Sequence, residues 1–300
     1  MPHSPEPAFK GRVAIVTGAG KGLGRAYALW LAEHGASVVI NNRIHPGVPS
    51  SAQALADQII AQGGTAIAHE GAIDDPACAN SLVQLALDHF GRLDVLVCNA
   101  GVMPQGPFAT ADLAELRRAL DINIWGAIYP LQPAFRHMLA TGYGRVVLTG
   151  STVGLYGLAE HAAYATSRSA MVGLARSLAQ EVPVGADIGV NVILPQGFTD
   201  MYAQRMPEAR REQAARDVPA EKVAPVVGWL CSAECRTNGM IFDTGAGRVS
   251  RAAIIESLSI PIDELSMTAV ASPALAPLAA NEPANAAQAS GRMKAGRIDI

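Results

Sequence analysis

The chain has 300 residues, of which 50% are hydrophobic and 16% are charged, so it can bury a large core and is not disordered throughout. The formal net charge of −3 leaves no basic field that would hold nucleic acid or an anionic membrane. Charged residues interrupt every apolar run before the ~20 residues that a membrane span needs. The first ten residues contain three prolines and no apolar segment of the signal-peptide kind. We therefore expect a globular protein of the cytoplasm.

The four cysteines are too few and too scattered for the disulfide framework of a secreted domain. They are Cys78, Cys98, Cys231 and Cys235. The last two are separated by three residues, and no histidine pair lies near them to complete a zinc site. We expect free thiols and no bound metal.

Short β-branched runs alternate with longer helical patterns from Arg12 to about Phe242. The predicted strands are 13–16, 37–40, 66–68, 94–97, 145–148 and 189–193, with a weaker seventh at 240–242. The predicted helices are 23–34, 51–62, 76–90, 112–138, 159–181 and 219–231. The strands are almost continuously apolar, which is typical of parallel strands buried on both faces. The alternation predicts an α/β fold, a Rossmann-type doubly wound parallel sheet of about seven strands with helices on both faces.

The composition changes near the C-terminus. No aromatic residue follows Phe242, and residues 272–289 are mostly Ala, Pro and Asn. Such a segment has little apolar surface to offset the entropy of ordering it. We expect one domain over residues 1–250 and an Ala/Pro-rich, partly flexible extension over 251–300.

A glycine-rich loop follows the first predicted strand and precedes an amphipathic helix. It reads Thr17-Gly18-Ala19-Gly20-Lys21-Gly22-Leu23-Gly24. Glycines let the backbone approach a pyrophosphate, and the N-terminus of the next helix offers free N–H groups and a positive dipole end. This strand–loop–helix context predicts a dinucleotide site that includes Gly18, Lys21, Gly22, Leu23 and Gly24.

The end of the second predicted strand indicates which dinucleotide is bound. An acidic residue there accepts the ribose hydroxyls of NAD and repels a 2′-phosphate. This chain has the neutral Asn42 followed by Arg43, and Lys21 adds a second cation on the same side of the site. Charge-assisted bonds from two cations favour NADP, while NAD remains possible.

A candidate catalytic group is formed by three residues that follow the fifth predicted strand. Tyr164 and Arg168 are four apart in a helical segment and share a face, and Ser151 lies just past the carboxyl end of the strand, where such sheets bind ligands. Singly, a tyrosine on a helix usually packs and a serine after a strand usually caps. Together they suit proton transfer: Tyr164 as acid/base, Ser151 holding the substrate oxygen, and the Arg168 cation favouring the phenolate.

Four features of the chain resemble the short-chain dehydrogenase/reductase family, and the resemblance covers roughly residues 10–248. They are the glycine spacing, the segment Cys98-Asn99-Ala100-Gly101, Asn123 and the pattern Ser-x12-Tyr-x3-basic. The resemblance implies an NAD(P)-dependent oxidoreductase acting on a CH–OH group of a small alcohol or carbonyl compound. It further implies that Asn99, Ala100, Gly101 and Thr199 contact the cofactor together with Asn42, Arg43, Tyr164 and Arg168. Asn123 would anchor a water relay, and the protein would form a homodimer or homotetramer.

The chain departs from the family pattern at several positions. The family has lysine where this chain has Arg168, and a guanidinium cannot release a proton, so we expect weakened catalysis. Cys98 replaces an asparagine, and Gly71 stands where the family often places an aspartate against the adenine. Gln196, which follows Pro195, looks like an insertion.

The substrate is less well defined by the sequence. Residues 201–218 form a predicted lid, and an apolar wall made of Met103, Leu155, Tyr156, Phe198, Met201 and Tyr202 suits a bulky hydrophobic alcohol or ketone. His161, three residues before Tyr164, is expected to face solvent.

Two alternatives remain open. Segments such as Gly154-Leu155-Tyr156-Gly157 and Gly245-Ala246-Gly247 resemble the (3R)-hydroxyacyl-CoA dehydrogenase part of peroxisomal multifunctional enzyme type 2, which implies an acyl-CoA substrate. The departures at Cys98 and Arg168 also permit a nucleotide-binding sensor or scaffold with weakened catalysis.

Overall fold

The computed structural model describes residues 8–203 and 206–254. Its strands are β1 (Val13–Val16), β2 (Ser37–Asn42), β3 (Thr65–Glu70), β4 (Val95–Cys98), β5 (Tyr143–Thr149), β6 (Asp187–Gln196), β7 (Ile241–Gly245) and β8 (Arg248–Ala252). They form one sheet in the order β3-β2-β1-β4-β5-β6-β7-β8. Pairing is parallel from β3 to β7, and β8 is antiparallel to β7. The predicted doubly wound α/β sheet is confirmed, with one strand more than expected.

Helices cover both faces of the sheet. They are α1 (Gly22–Glu33), α2 (Ser51–Ala61), α3 (Pro76–Phe90), α4 (Leu113–Leu120), α5 (Gly126–Thr141), α6 (Thr152–Tyr156), α7 (Ala162–Glu181), α8 (Asp200–Ala203), α9 (Glu208–Asp217) and α10 (Ala224–Cys231). One core cluster joins the sheet to α1, α2 and α10, and a second joins its other face to α3, α5 and α7. Each central strand is therefore buried on both sides, which explains its continuous apolar sequence.

The predicted helix over 112–138 is divided in the structure. A π-helical segment, Asp121–Trp125, separates α4 from α5. The apolar periodicity runs on through this segment, so the sequence pattern does not reveal the change. Likewise, the predicted helix over 219–231 consists of a short 3-10 turn at Ala220–Lys222 followed by α10.

Strand β8 was absent from the sequence prediction. It follows a two-residue turn in which Ala246 and Gly247 have φ angles of 51° and 74°. Two positive φ angles in succession are typical of the turn that closes a β-hairpin. Because β8 is a largely exposed edge strand of polar sequence, it lacks the apolar run that marks the buried strands. The predicted extension beyond residue 254 lies outside the described residues.

Candidate active site

The loop after β1 approaches the end of β4 too closely for side chains. Gly18 and Gly22 have φ angles of 62° and 58°, in the left-handed region that favours glycine. A Cβ atom on Gly18 would lie 2.7 Å from the Cα of Ala100, and one on Gly24 would lie 2.5 Å from Nδ2 of Asn99. The glycines therefore permit both the turn and the close packing of α1 against the sheet edge.

The first turn of α1 has backbone N–H groups that are free to bind a ligand beside this loop. Lys21 is the N-cap residue of the 12-residue helix, and its side chain makes no capping hydrogen bond. Thr199 faces Gly22, with its Cγ2 3.1 Å from the position of a Cβ there, and the Leu23 side chain lies against Gly197. Uncapped N–H groups at a helix N-terminus beside a glycine-rich backbone fit the pyrophosphate of a dinucleotide.

Thr17 links the loop to the end of β4 and was not singled out from the sequence. Its Oγ1 accepts hydrogen bonds from the backbone N–H groups of Asn99 (3.0 Å) and Ala100 (3.1 Å). In return, Nδ2 of Asn99 donates to the backbone oxygens of Thr17 (3.0 Å) and Gly18 (3.2 Å). Asn99 and Ala100 thereby hold the loop in place. A buried threonine at the end of a strand gives no sequence signal for this role.

The end of β2 carries the residues predicted to select the cofactor. Nδ2 of Asn42 donates to Oγ of Ser51 at 2.7 Å, so the first turn of α2 adds a hydroxyl that the sequence reasoning missed. Arg43 is exposed. Nζ of Lys21 lies 3.5 Å from a carboxylate oxygen of Asp200 at the start of α8. Strand β2 contains no carboxylate, so none lies at its C-terminal end to accept the ribose hydroxyls of NAD.

Arg168 is buried beside Tyr164. The Arg168 side chain is 4% exposed, its Nη1 donates to the backbone oxygen of Thr149 at 2.8 Å, and its Cζ lies 5.3 Å from the centroid of the Tyr164 ring. Its Nε has no hydrogen-bond partner among the described residues. A Cβ on Gly101 would collide with the guanidinium, so a glycine is required there. Among the described residues, no carboxylate pairs with this cation, so its charge is available to stabilise a negative charge that forms beside it.

Asn123 lies in the π-helical segment and clamps the chain after β4. Its Oδ1 accepts from the Val102 N–H at 2.8 Å, and its Nδ2 donates to the Val102 oxygen at 2.8 Å and to Oγ of Ser167 at 2.9 Å. Both amide hydrogens are thus used, and one oxygen lone pair remains for a water. Through Ser167 the clamp extends to α7. Extra residues in helical turns are frequent at functional sites.

Ser151 follows β5 by two residues and is the N-cap of α6. Its Oγ accepts from the Val153 N–H at 3.2 Å, which leaves its own hydroxyl hydrogen free to donate. Helix α6 is tied to α7 because Oγ of Ser169 donates to the Gly154 oxygen at 2.6 Å. The structure thus brings Ser151, Tyr164, Arg168 and Asn123 to one edge of the sheet.

His161 is buried rather than solvent-facing, contrary to the sequence expectation. The side chain is 7% exposed, and its Nδ1 lies 2.7 Å from the Ala159 oxygen. The residue before it, Glu160, has a φ angle of 63°, and its backbone oxygen accepts from the Gly106 N–H at 2.9 Å. The loop into α7 therefore folds back on itself, which covers the imidazole.

Burial perturbs two further titratable groups at or near this edge of the sheet. Burial raises the pKa of Asp243 to about 6, although Nε2 of Gln196 donates to the carboxylate at 3.0 Å and the Thr244 N–H also favours its charged form. Gln196 is the last residue of β6 and pairs with Gly245, so it extends the strand instead of forming an inserted loop. Burial also raises the pKa of the Cys98 thiol to about 12, which makes it a poor nucleophile.

The predicted lid contains two helices and is held at its base. The Phe198 N–H donates to the Val218 oxygen at 2.6 Å, and α8 and α9 lie between these residues. The proposed apolar wall is partly buried at Met103, Leu155, Tyr156, Phe198 and Met201, while Tyr202 is exposed. In the described ranges no group of three or more His, Cys, Asp or Glu side chains could hold a metal ion, and no helix is long and apolar enough to cross a membrane.

The family model for short chain dehydrogenases matches residues 12–210. The chain therefore belongs to the short-chain dehydrogenase/reductase family of oxidoreductases, which use NAD or NADP and act on alcohols and ketones. The family expected from the motifs is confirmed.

Individual relatives agree with this assignment. A protein of Mycobacterium tuberculosis named as a short-chain type dehydrogenase/reductase is 36% identical over 258 residues, which cover 83% of this chain and 87% of the relative. Mouse peroxisomal multifunctional enzyme type 2 is 36% identical over 249 residues, 81% of this chain. The match covers only 33% of that enzyme. The crystal structure of a short chain dehydrogenase from Mycobacterium avium superimposes with a TM-score of 0.76 at 29% identity, over 88% of this chain and 93% of that one.

Proposed function

We propose that the protein is an NADP(H)-dependent oxidoreductase that interconverts a bulky, hydrophobic secondary alcohol and its ketone. One observation carries this proposal: a buried guanidinium without a carboxylate partner among the described residues lies 5.3 Å from the ring of Tyr164, at the sheet edge where the glycine-rich loop ends. A buried cation of this kind favours the negative charge that a tyrosine acquires when it gives up its proton.

The residues divide the chemistry as follows. The nicotinamide, when bound, supplies or accepts the hydride. Tyr164 donates a proton to the carbonyl oxygen during reduction and accepts it during oxidation. The Ser151 hydroxyl donates a hydrogen bond to the same oxygen, and Arg168 stabilises the phenolate. Asn123 fixes the chain after β4, and Gly101 leaves room for the Arg168 guanidinium.

Four groups at the other end of the site support NADP over NAD. Asn42 replaces the carboxylate that would repel a 2′-phosphate, and Ser51 is hydrogen-bonded to it. The loop residue Gly20 packs against both side chains, and the cations Arg43 and Lys21 directly follow Asn42 and Gly20 in the chain. Each charge-assisted bond to a phosphate contributes about 1.5–3 kcal/mol. Lys21 is shared with Asp200, and their exposed ion pair contributes little, so a phosphate can replace it.

A direct test is to titrate the purified protein with NADPH and NADH, following cofactor fluorescence, and then to follow NADPH absorbance with a panel of ketones. We expect NADPH to bind at least about tenfold more tightly than NADH, as one net charge-assisted bond provides. We expect Tyr164→Phe to lower turnover by at least about 10²-fold with the NADPH Kd unchanged. Binding without turnover on any carbonyl would favour the sensor or scaffold.

A second candidate is a (3R)-hydroxyacyl-CoA dehydrogenase. It is supported by the 36% identity to mouse peroxisomal multifunctional enzyme type 2. The same assay with 3-ketoacyl-CoA substrates separates the candidates, because preference for the thioester over its pantetheine fragment would show recognition of the CoA moiety.

Location and assembly stay predictions. We place the protein in the cytoplasm, although some relatives are named as peroxisomal. A homodimer or homotetramer is supported by the stacked Trp125 and Tyr129 rings beside α5, the first of them 45% exposed. Light scattering of the purified chain tests the assembly. We assign catalysis to residues 1–250 and none of it to the extension.

A further inference from the structure

The catalytic tyrosine needs a supply of protons that Arg168 cannot provide. Each reduction takes one proton from Tyr164, and the phenolate must regain it before the next turnover. A guanidinium keeps its own proton at any pH that proteins tolerate, so Arg168 stabilises the phenolate without reprotonating it. Protons that pass between Tyr164 and solvent therefore need a route that does not use the side chain at position 168.

His161 has the position and the chemistry for this task. It is the N-cap residue of α7, and Tyr164 is the third residue of that helix. Side chains of a helix lean toward its N-terminus and cover the preceding turn, so the Tyr164 phenol is directed back over the turn that contains His161. The Arg168 guanidinium follows the same rule, because it lies over the Tyr164 ring. The spacing of three and then four residues thus puts these side chains on one face at the N-terminal end of α7.

The hydrogen bonds of His161 define which ring nitrogen can transfer a proton. A backbone oxygen only accepts, so the contact of 2.7 Å to Ala159 requires a hydrogen on Nδ1. In the neutral ring Nε2 is then the nitrogen without a proton, and the hydrogen bond of the His161 side chain to a described residue is made by Nδ1. The ring is held in one orientation with its basic nitrogen available.

The neighbouring charged groups do not offer the same route. Glu160 is exposed, and its carboxylate accepts from Nε2 of Gln105 at 3.3 Å. Arg168 faces Tyr164 from the following turn, and it is fixed to the Thr149 oxygen. His161 is therefore the titratable side chain that precedes Tyr164 at the N-terminal end of α7.

We propose that His161 returns protons to Tyr164. It would thereby carry the protons that the family's lysine, absent from position 168 of this chain, can release. This inference rests on the proposed carbonyl reduction. During reduction Tyr164 gives its O–H proton to the carbonyl oxygen. Nε2 of His161 takes a proton from solvent and passes it, directly or through one water, to the phenolate. The ring ends neutral, and the net transfer is one proton from solvent to product. Alcohol oxidation uses the same steps in reverse.

The test combines His161→Asn with Arg168→Lys. Asparagine keeps an N–H for the Ala159 oxygen but has no titratable nitrogen. We expect His161→Asn to lower kcat by about 10- to 100-fold with KM and the NADPH Kd within about twofold, and to raise the solvent deuterium isotope effect on kcat. Imidazole added to His161→Ala should restore part of the lost kcat. In the Arg168→Lys background, where lysine can release a proton, His161→Asn should cost less than about threefold.

His89→Gln serves as the matched control, because His89 is exposed on α3 and remote from α7. Its kcat and isotope effect should equal those of the wild type. Equal losses from His161→Asn in both backgrounds, or no loss in either, would overturn the proposal while leaving carbonyl reduction intact. If the wild type and Arg168→Lys both fail to reduce any carbonyl, the proposed function falls and this inference falls with it.

Discussion

Arg168 determines how the candidate site handles charge. Its guanidinium is buried, is bonded to the Thr149 oxygen and lies beside Tyr164 without a carboxylate partner in the described part of the chain. A lysine at the same position would carry the same charge on a smaller group that can also release a proton.

Arg168→Lys is therefore expected to raise turnover about 3- to 10-fold, with the largest gain for alcohol oxidation at low pH. The measurement is kcat for oxidation of a secondary alcohol across pH 6–10. An unchanged or lower kcat would show that catalysis needs only a positive charge at position 168 and gains nothing from a group that can release a proton.

Asn42 determines the charge at the ribose end. Asn42→Asp reverses the hydrogen bond with Ser51, whose hydroxyl would now donate, and places a carboxylate where the 2′-phosphate is proposed to bind. We expect the NADPH Kd to rise about tenfold or more and the NADH Kd to fall, measured by fluorescence titration. Gln62→Glu adds the same charge at the far end of α2 and should leave both constants unchanged. A parallel change for the two cofactors would contradict the proposed phosphate position.

At the scale of elements, the junction of β6 and β7 contains a carboxyl group that destabilises the fold when it ionises. Burial raises the pKa of Asp243 to about 6, above the ordinary value of about 3.9. Between these two values the native state binds more protons than the unfolded state. The contribution of Asp243 to the free energy of unfolding is therefore most favourable below about pH 3.9. It falls as the pH rises from about 3.9 to about 6 and stays lower above that.

Asp243→Asn removes this dependence. We expect the variant to gain about 1–3 kcal/mol of unfolding free energy relative to the wild type at pH 8, and almost nothing at pH 4. Urea denaturation at four or five pH values measures the difference. Parallel curves for the two proteins would show that Asp243 titrates in the folded state as it does in the unfolded chain.

At the scale of the whole molecule, one buried arginine joins three elements that are distant in sequence. Arg145 on β5 is fully buried; its Nε donates to the Ser232 oxygen after α10 at 2.9 Å, and its Nη2 lies 2.7 Å from the Asp187 carboxylate at the start of β6. Asp187 is also paired with the exposed Arg236.

Arg145→Met fills the space but removes the guanidinium donors. The Ser232 oxygen then keeps the longer contact from the Cys235 N–H (3.3 Å), and the Asp187 carboxylate keeps its pair with the exposed Arg236. We expect a loss of about 3–5 kcal/mol in unfolding free energy and a Tm several degrees lower, by calorimetry. Arg236→Met removes only the exposed partner and should cost at most about 1 kcal/mol. Similar effects of both changes would show that the contacts of Arg145 inside the molecule contribute little.

The sequence alone determined the layered α/β sheet, the glycine-rich loop and the group Ser151, Tyr164 and Arg168. Each of these follows from local patterns: continuous apolar runs, a strand–glycine–helix junction and a helical spacing of four. Strand β8 escaped prediction because an exposed edge strand needs no apolar run, and Thr17 and Ser51 did because their hydroxyls act only across elements.

Only the tertiary structure decided that Arg168 is buried without a carboxylate partner among the described residues, that the Asn123 amide hydrogen-bonds to Val102 and Ser167, and that His161 is buried. These properties depend on which loops meet at the carboxyl edge of the sheet, and such contacts join residues from 19 to 82 positions apart. Side-chain burial and hydrogen-bond partners are set by that packing, so no local spacing in the chain encodes them.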